Sequence, residues 1–179
     1  IDLALATNGK LDIIYANAGI SGGTPGLFEQ TEDQWLNILQ VNLIGPMLAI
    51  QLGAPHMISQ GKGAIVCTAS VAGIRNGAGS PAYSASKAGV VGMALPIARD
   101  LAAVGVRVNT VAPGLIDTPI YGEGPESDAF KAHLGKSVLF PKRLGSAEEL
   151  AFAVVDCITN PYMNAEVIRL DGGIRMPPK

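Results

Sequence analysis

The chain has 179 residues, 48 % of them hydrophobic and 5 % aromatic, with 22 glycines and a formal net charge of −2. That length supports one domain, residues 1–179, with a real core, and the near-neutral charge offers nothing global to nucleic acid or to a membrane surface. No apolar run in the sequence reaches the roughly 18 residues of a bilayer span, so neither nucleic acid nor a membrane is an expected partner.

LDIIY (11–15) is a short, β-branched apolar run and reads as a strand. TEDQ is a capping box that opens a long helix at Thr31, running towards His56. Within it Pro46 follows Asn42 by four residues, has no N–H to give and crowds that residue's carbonyl. A kink that frees the Asn42 carbonyl is expected, or a plain kink with water on that oxygen. AIVCTA (64–69) is the second strand, and SPAYSASKAG (80–89) begins the next helix, with Ser80 as N-cap and Pro81 in the first position, ending near Ala103. VRVNTVA (106–112) is the third strand. Residues 113–143 are punctuated by Gly and Pro and hold at most a short helix around 126–136; such a long connection suggests a lid, about 117–142. SAEE is a second capping box, opening a helix at Ser146 that ends near Thr159, and EVIRL (166–170) is the last strand. Cys67 and Cys157 lack metal or redox spacing and read as two buried thiols of a reducing compartment. His56 and His133 show no ligand spacing either, so no metal is expected.

Strands alternating with helices imply a parallel sheet with right-handed crossovers, whose ligands sit beyond the carboxyl ends of the strands. ANAG (16–19), Ser70 and PGLIDT (113–118) follow the first three strands and therefore face one crevice. Tyr83 and Lys87, one helical turn apart, border the same rim. A lysine ammonium about 5 Å away at an effective dielectric near 20 is worth roughly 3 kcal/mol, so Lys87 is expected to pull the Tyr83 pKa down from about 10. Ser70 then hydrogen-bonds a substrate oxygen while Tyr83 exchanges its proton. Taken alone, a Tyr–x₃–Lys pair is more often what an ordinary amphipathic helix carries.

YSASK lies 13 residues after a serine that closes a strand, follows NAG closing an earlier strand and precedes PG closing a later one. In this combination the chain resembles the short-chain dehydrogenase/reductase family over its whole length. The resemblance implies an α/β, Rossmann-like, doubly wound parallel sheet and a catalytic tetrad of Asn42, Ser70, Tyr83 and Lys87. It gives Tyr83 the role of general acid/base, Ser70 that of substrate-positioning hydroxyl, and Lys87 both the pKa-lowering charge and a hold on the nicotinamide ribose. Asn42 would bind, through its main chain, a water that extends the proton path. Asn17, Ala18 and Gly19 match the motif that shapes the cofactor cleft, with Ala16 in place of its first asparagine, and Pro113, Gly114, Ile116 and Thr118 match the segment that holds the nicotinamide.

TASVAG, YSASKAGVVGMALPIARDLA, RVNTVAPGL and FPKRLGSAEELA, together with the NPYMNAEVIRLDGG end, are most similar to the type-2 3-hydroxyacyl-CoA dehydrogenases of that family. This implies NAD as cofactor, a 3-hydroxyacyl-CoA or hydroxysteroid-like substrate, and a homotetramer or homodimer packed through the two long helices. A cytoplasmic location is expected, with the mitochondrial matrix as the alternative because the true N-terminus reads as absent. Lys131, Lys136, Lys142 and Arg143 are candidates for CoA phosphates or for an ordinary solvated face. Ile120, Tyr121, Phe130, Leu134 and Leu139 are candidates for an acyl or steroid contact, or for packing of the lid on its own domain. The opening IDLALATNGK reads as the end of a helix, so the family's glycine-rich turn, its first strands and the acidic residue that selects NAD over NADP are expected to be missing from the chain. Two alternatives to the dehydrogenase reading stay open at this point: a truncated, cofactor-free subunit with an assembly role, and a reductase of a small ketone or 3-oxoacyl thioester.

Overall fold

A computed structural model describes residues 1–23, 26–75 and 79–174. A short helix α1 (Asp2–Asn8) precedes β1 (Ile13–Ala16), and α2 (Glu32–Leu39) runs through a π-helical turn at Gln40–Ile44 into α3 (Gly45–Gln60). β2 (Gly63–Thr68), α4 (Pro81–Ala102) and β3 (Val106–Pro113) follow. A 3₁₀ turn at Pro119–Tyr121 leads to α5 (Pro125–Gly135), then α6 (Ala147–Thr159) and β4 (Val167–Leu170).

The strands form one four-stranded sheet in the order β1-β2-β3-β4, every pair parallel. β2 and β3 are apolar without alternation because both of their faces are covered. Ile65, Cys67 and Val108 point to one face and pack with Ile50 and Met57 of α3 and Val90 of α4. Val66 and Val111 point to the other, against Val154 and Cys157 of α6. β1 lies at the sheet edge, with Ile13 and Tyr15 exposed. Arg107 on β3 donates from Nη1 to the carbonyls of Cys157 and Met163, both at 2.8 Å, which satisfies the last turn of α6 and fixes it to the sheet.

Both expected capping boxes are formed, at Thr31 with Gln34 and at Ser146 with Glu149. Three sequence expectations need correction. The Pro46 kink is instead a π turn, in which Gly45 N–H reaches back to Gln40 O and the helix widens at Asn42. Ser80 does not cap α4: it sits at φ 79°, in the left-handed region, and its hydroxyl donates to Gly23 O at 3.1 Å, tying the loop after β1 to the start of α4. Finally, the continuous helical stretch Glu32–Gln60 contains a window of 18 residues that is long and apolar enough to cross a bilayer by length and composition. In this fold Ile50, Ala54 and Met57 of that stretch are buried in the core beside the sheet.

Candidate active site

The strand ends converge as parallel-sheet geometry requires. Asn17, Gly19, Ser70, Pro113 and Gly114 line one cavity of about 290 Å³ with Tyr83, Lys87, Ile116 and Thr118. Ala18 and Asn42, the remaining predicted site residues, are not on its wall.

Lys87 is 4 % exposed, and its Nζ donates to Thr68 O, the last carbonyl of β2, at 2.8 Å. The Thr68 hydroxyl donates in turn to Asn17 Oδ1 at 2.9 Å, so one residue joins the lysine to the loop after β1. A Cβ on Gly19 would stand 3.3 Å from both Lys87 Nζ and Asn42 Oδ1, which explains why the motif ends in glycine. At Gly114 a Cβ would come within 2.7 Å of Asp171 Cβ, so the turn after β3 lies flush against the end of β4.

Asn42 is fully buried in the π turn. Its Oδ1 accepts from Ile20 N–H at 2.8 Å, and its Nδ2 donates to Ile20 O at 2.9 Å and to Ser86 Oγ at 3.1 Å. Ser86 then donates to Tyr83 O at 2.7 Å, so the chain Ile20–Asn42–Ser86–Tyr83 locks the helix that carries the tyrosine onto the loop after β1. The Asn42 side chain thus acts as a positioning bolt. Thr68 and Ser86 escape a reading confined to the residues that follow each strand; the signal for Thr68 is its place at the end of β2, and that for Ser86 its place inside YSASK, on the buried face of α4.

Ser70 Oγ accepts from Ala72 N–H at 3.1 Å and so starts the short 3₁₀ turn Val71–Gly73. The hydroxyl of Tyr83 faces it. The expected depression of the Tyr83 pKa is not what the fold by itself produces: burial raises it, and the Ser70 hydroxyl draws it only partly back. Lys87 stands over the tyrosine ring, 5.9 Å from its centre, and burial lowers its own pKa to about 8, with Cys67 opposing that shift. Both groups are pushed towards their neutral forms.

A second cavity of about 350 Å³ adjoins the first and shares Ser70, Tyr83, Gly114, Ile120 and Tyr121 with it. Leu115 and Phe130 add to its apolar lining. Of the five apolar residues predicted for substrate contact, Ile120, Tyr121 and Phe130 therefore face a cavity, whereas Leu139 is 69 % exposed and packs near Gly173. Of the four basic residues near the lid, Lys131 pairs with Asp117 at 2.8 Å, Arg143 grips Glu149 with two nitrogens at 2.8 and 2.7 Å, and Lys142 reaches Lys136 O at 3.3 Å.

The first cavity suits a nicotinamide and its ribose. Lys87 has three N–H donors, of which one meets Thr68 O, and the cavity wall carries the hydroxyl-bearing Thr118 and the side-chain-free Gly19.

A family model described as short chain dehydrogenase matches residues 1–128. The 3-hydroxyacyl-CoA dehydrogenase type-2 of Rattus norvegicus is 44 % identical over 189 residues, covering 99 % of this chain and 72 % of that protein. The 3-oxoacyl-[acyl-carrier-protein] reductase of Thermotoga maritima is 38 % identical over 168 residues, covering 93 % of this chain and 67 % of that protein. The crystal structure of levodione reductase superposes with a TM-score of 0.85 at 31 % identity, covering 96 % of this chain and 69 % of that one.

Proposed function

This chain belongs to the short-chain dehydrogenase family and is an oxidoreductase; we propose that it interconverts a secondary alcohol and a ketone with NAD, on a 3-hydroxyacyl-CoA or hydroxysteroid-like substrate. The observation that carries this reading is the position of Ser70 and Tyr83 on the wall common to both cavities, while Lys87 lines the first alone. A substrate in the second cavity then presents its oxygen to the two hydroxyls, with the cofactor next to them in the first.

Ser70 steadies that oxygen and Tyr83 exchanges its proton. The nicotinamide, when bound, takes or supplies the hydride. Lys87 binds the ribose, and Asn17, Gly19, Pro113, Gly114, Ile116 and Thr118 form the remainder of the cofactor wall, with Ala18 joining Asn17 to Gly19 behind it. Because burial keeps the Tyr83 phenol protonated in the unliganded fold, it stands ready as the acid for ketone reduction; as the base for oxidation it needs the positive charge that a protonated Lys87 and an oxidised cofactor bring beside it. Residues 117–142 act as the lid that excludes water. Assembly into a homotetramer or homodimer covers the exposed apolar positions of the long helices.

The relatives support the acyl thioester class, since two differently named ones act, by their names, on 3-oxygenated acyl thioesters. The apolar second cavity supports the same class. The test is a side-by-side kcat/KM comparison with NAD: a 3-hydroxyacyl-CoA is expected to outpace acetoin and short polyols. A win for the small polar alcohols overturns the acyl-CoA assignment.

A further inference from the structure

Tyr121 is a second phenol at the site, and nothing so far gives its hydroxyl a task. It lines both cavities, as Tyr83 does. Its backbone is fixed by Ser127, a buried residue whose hydroxyl lies 3.0 Å from the carbonyls of both Tyr121 and Gly122. Its ring meets Phe130 at 6.3 Å between centres, tilted by 58°. The Lys131–Asp117 pair closes the same stretch from outside. The side chain is thus held in place, yet among the described residues its hydroxyl makes no hydrogen bond. A half-buried phenol on the wall of a cavity, with no protein partner among the described residues, is a donor available to a ligand.

We propose that Tyr121 is a specificity-determining residue, whose hydroxyl donates a hydrogen bond to a second oxygen of the substrate, the thioester carbonyl two carbons from the reacting carbon. The two phenols share one pocket wall, so the second acceptor has to lie close to the reacting oxygen, and a 3-hydroxyacyl thioester carries one there. Burial, with Tyr83 and Asp117 nearby, raises the Tyr121 pKa, which keeps it protonated and able to donate. The inference rests on the acyl thioester reading and sharpens it: it gives the pocket a reason to prefer such substrates over alcohols with one oxygen.

The test compares wild type with Tyr121→Phe, which keeps the ring and its contact with Phe130, on a 3-hydroxyacyl-CoA and on a 2-alkanol of matched chain length, both with NAD. Tyr121→Phe is expected to lower kcat/KM on the thioester about tenfold, chiefly through KM, and to leave the 2-alkanol within about twofold. An equal loss on both substrates means a structural role and overturns the proposal, as does no loss on either. A wild-type enzyme that ignores the thioester fails the acyl-CoA reading itself, before any variant is made, and takes this inference with it.

Discussion

Lys87 lies over the face of Tyr83, with Nζ 5.9 Å from the ring centre, and anchors that nitrogen on Thr68 O at 2.8 Å. The ammonium is therefore held by the end of β2 and not by the phenol oxygen. This explains why proximity of the two side chains does not by itself produce a tyrosinate: desolvation acts on both, in opposite directions of pKa.

A pH dependence of stability follows. The Lys87 pKa is about 8 in the fold against 10.5 in the unfolded chain. Between those values the unfolded state binds a proton that the native state has lost, so stability rises with pH there. Below pH 8 the buried ammonium costs on the order of 3 kcal/mol. Urea midpoints measured from pH 7 to 9, below the range where the buried Cys67 thiol, raised to about 11, contributes the opposite slope, should show this rise in the wild type and lose it in Lys87→Met. Parallel profiles in the two proteins would contradict the assignment.

Asn42→Ala removes hydrogen bonds to Ile20 N–H, Ile20 O and Ser86 at a fully buried position. The expected loss is about 2–4 kcal/mol of stability, because the Ile20 groups keep no equivalent partner. A thermal or chemical melt shifted by less than about 1 kcal/mol would mean that the loop after β1 is held by something else.

The exposed leucines of the long helices give the third expectation. Leu36, Leu52 and Leu95 are 56 %, 62 % and 42 % exposed. On the proposed assembly these helices cover them, so light scattering at micromolar concentration should give a dimer or tetramer, and Leu52→Arg should shift it towards monomer. A wild-type monomer refutes the interface.

The strands and the crevice were legible because β-branched runs mark β1 to β4 and parallel topology sends every loop that follows a strand to one rim. Ser70, Tyr83 and Lys87 could be placed from that rule and the helical spacing of the last two. The local backbone was less legible. Ser80 carries the right chemistry for an N-cap, but its hydroxyl is drawn to Gly23 O, 57 residues away in the chain, and local patterns carry no such contact. Pro46 announced a break near Asn42 without saying that the helix would absorb it as a π turn. The direction of the Tyr83 shift is hidden for a similar reason: charge spacing is visible in a sequence, whereas desolvation depends on how tightly the site is packed. Tyr121 reads as one more apolar residue until the fold puts it on the wall of both cavities.

The most direct measurement of the central claim is hydride transfer in Tyr83→Phe, followed by the absorbance of the reduced nicotinamide beside a binding titration with the same cofactor. Tyr83 lines both cavities, and on the proposed mechanism removing its hydroxyl takes away the group that exchanges the substrate's proton, while Lys87 and the rest of the first cavity's wall stay in place. The account predicts turnover of a 3-hydroxyacyl-CoA reduced by at least about a thousandfold with cofactor affinity nearly unchanged. Residual turnover within about tenfold of the wild type would contradict it.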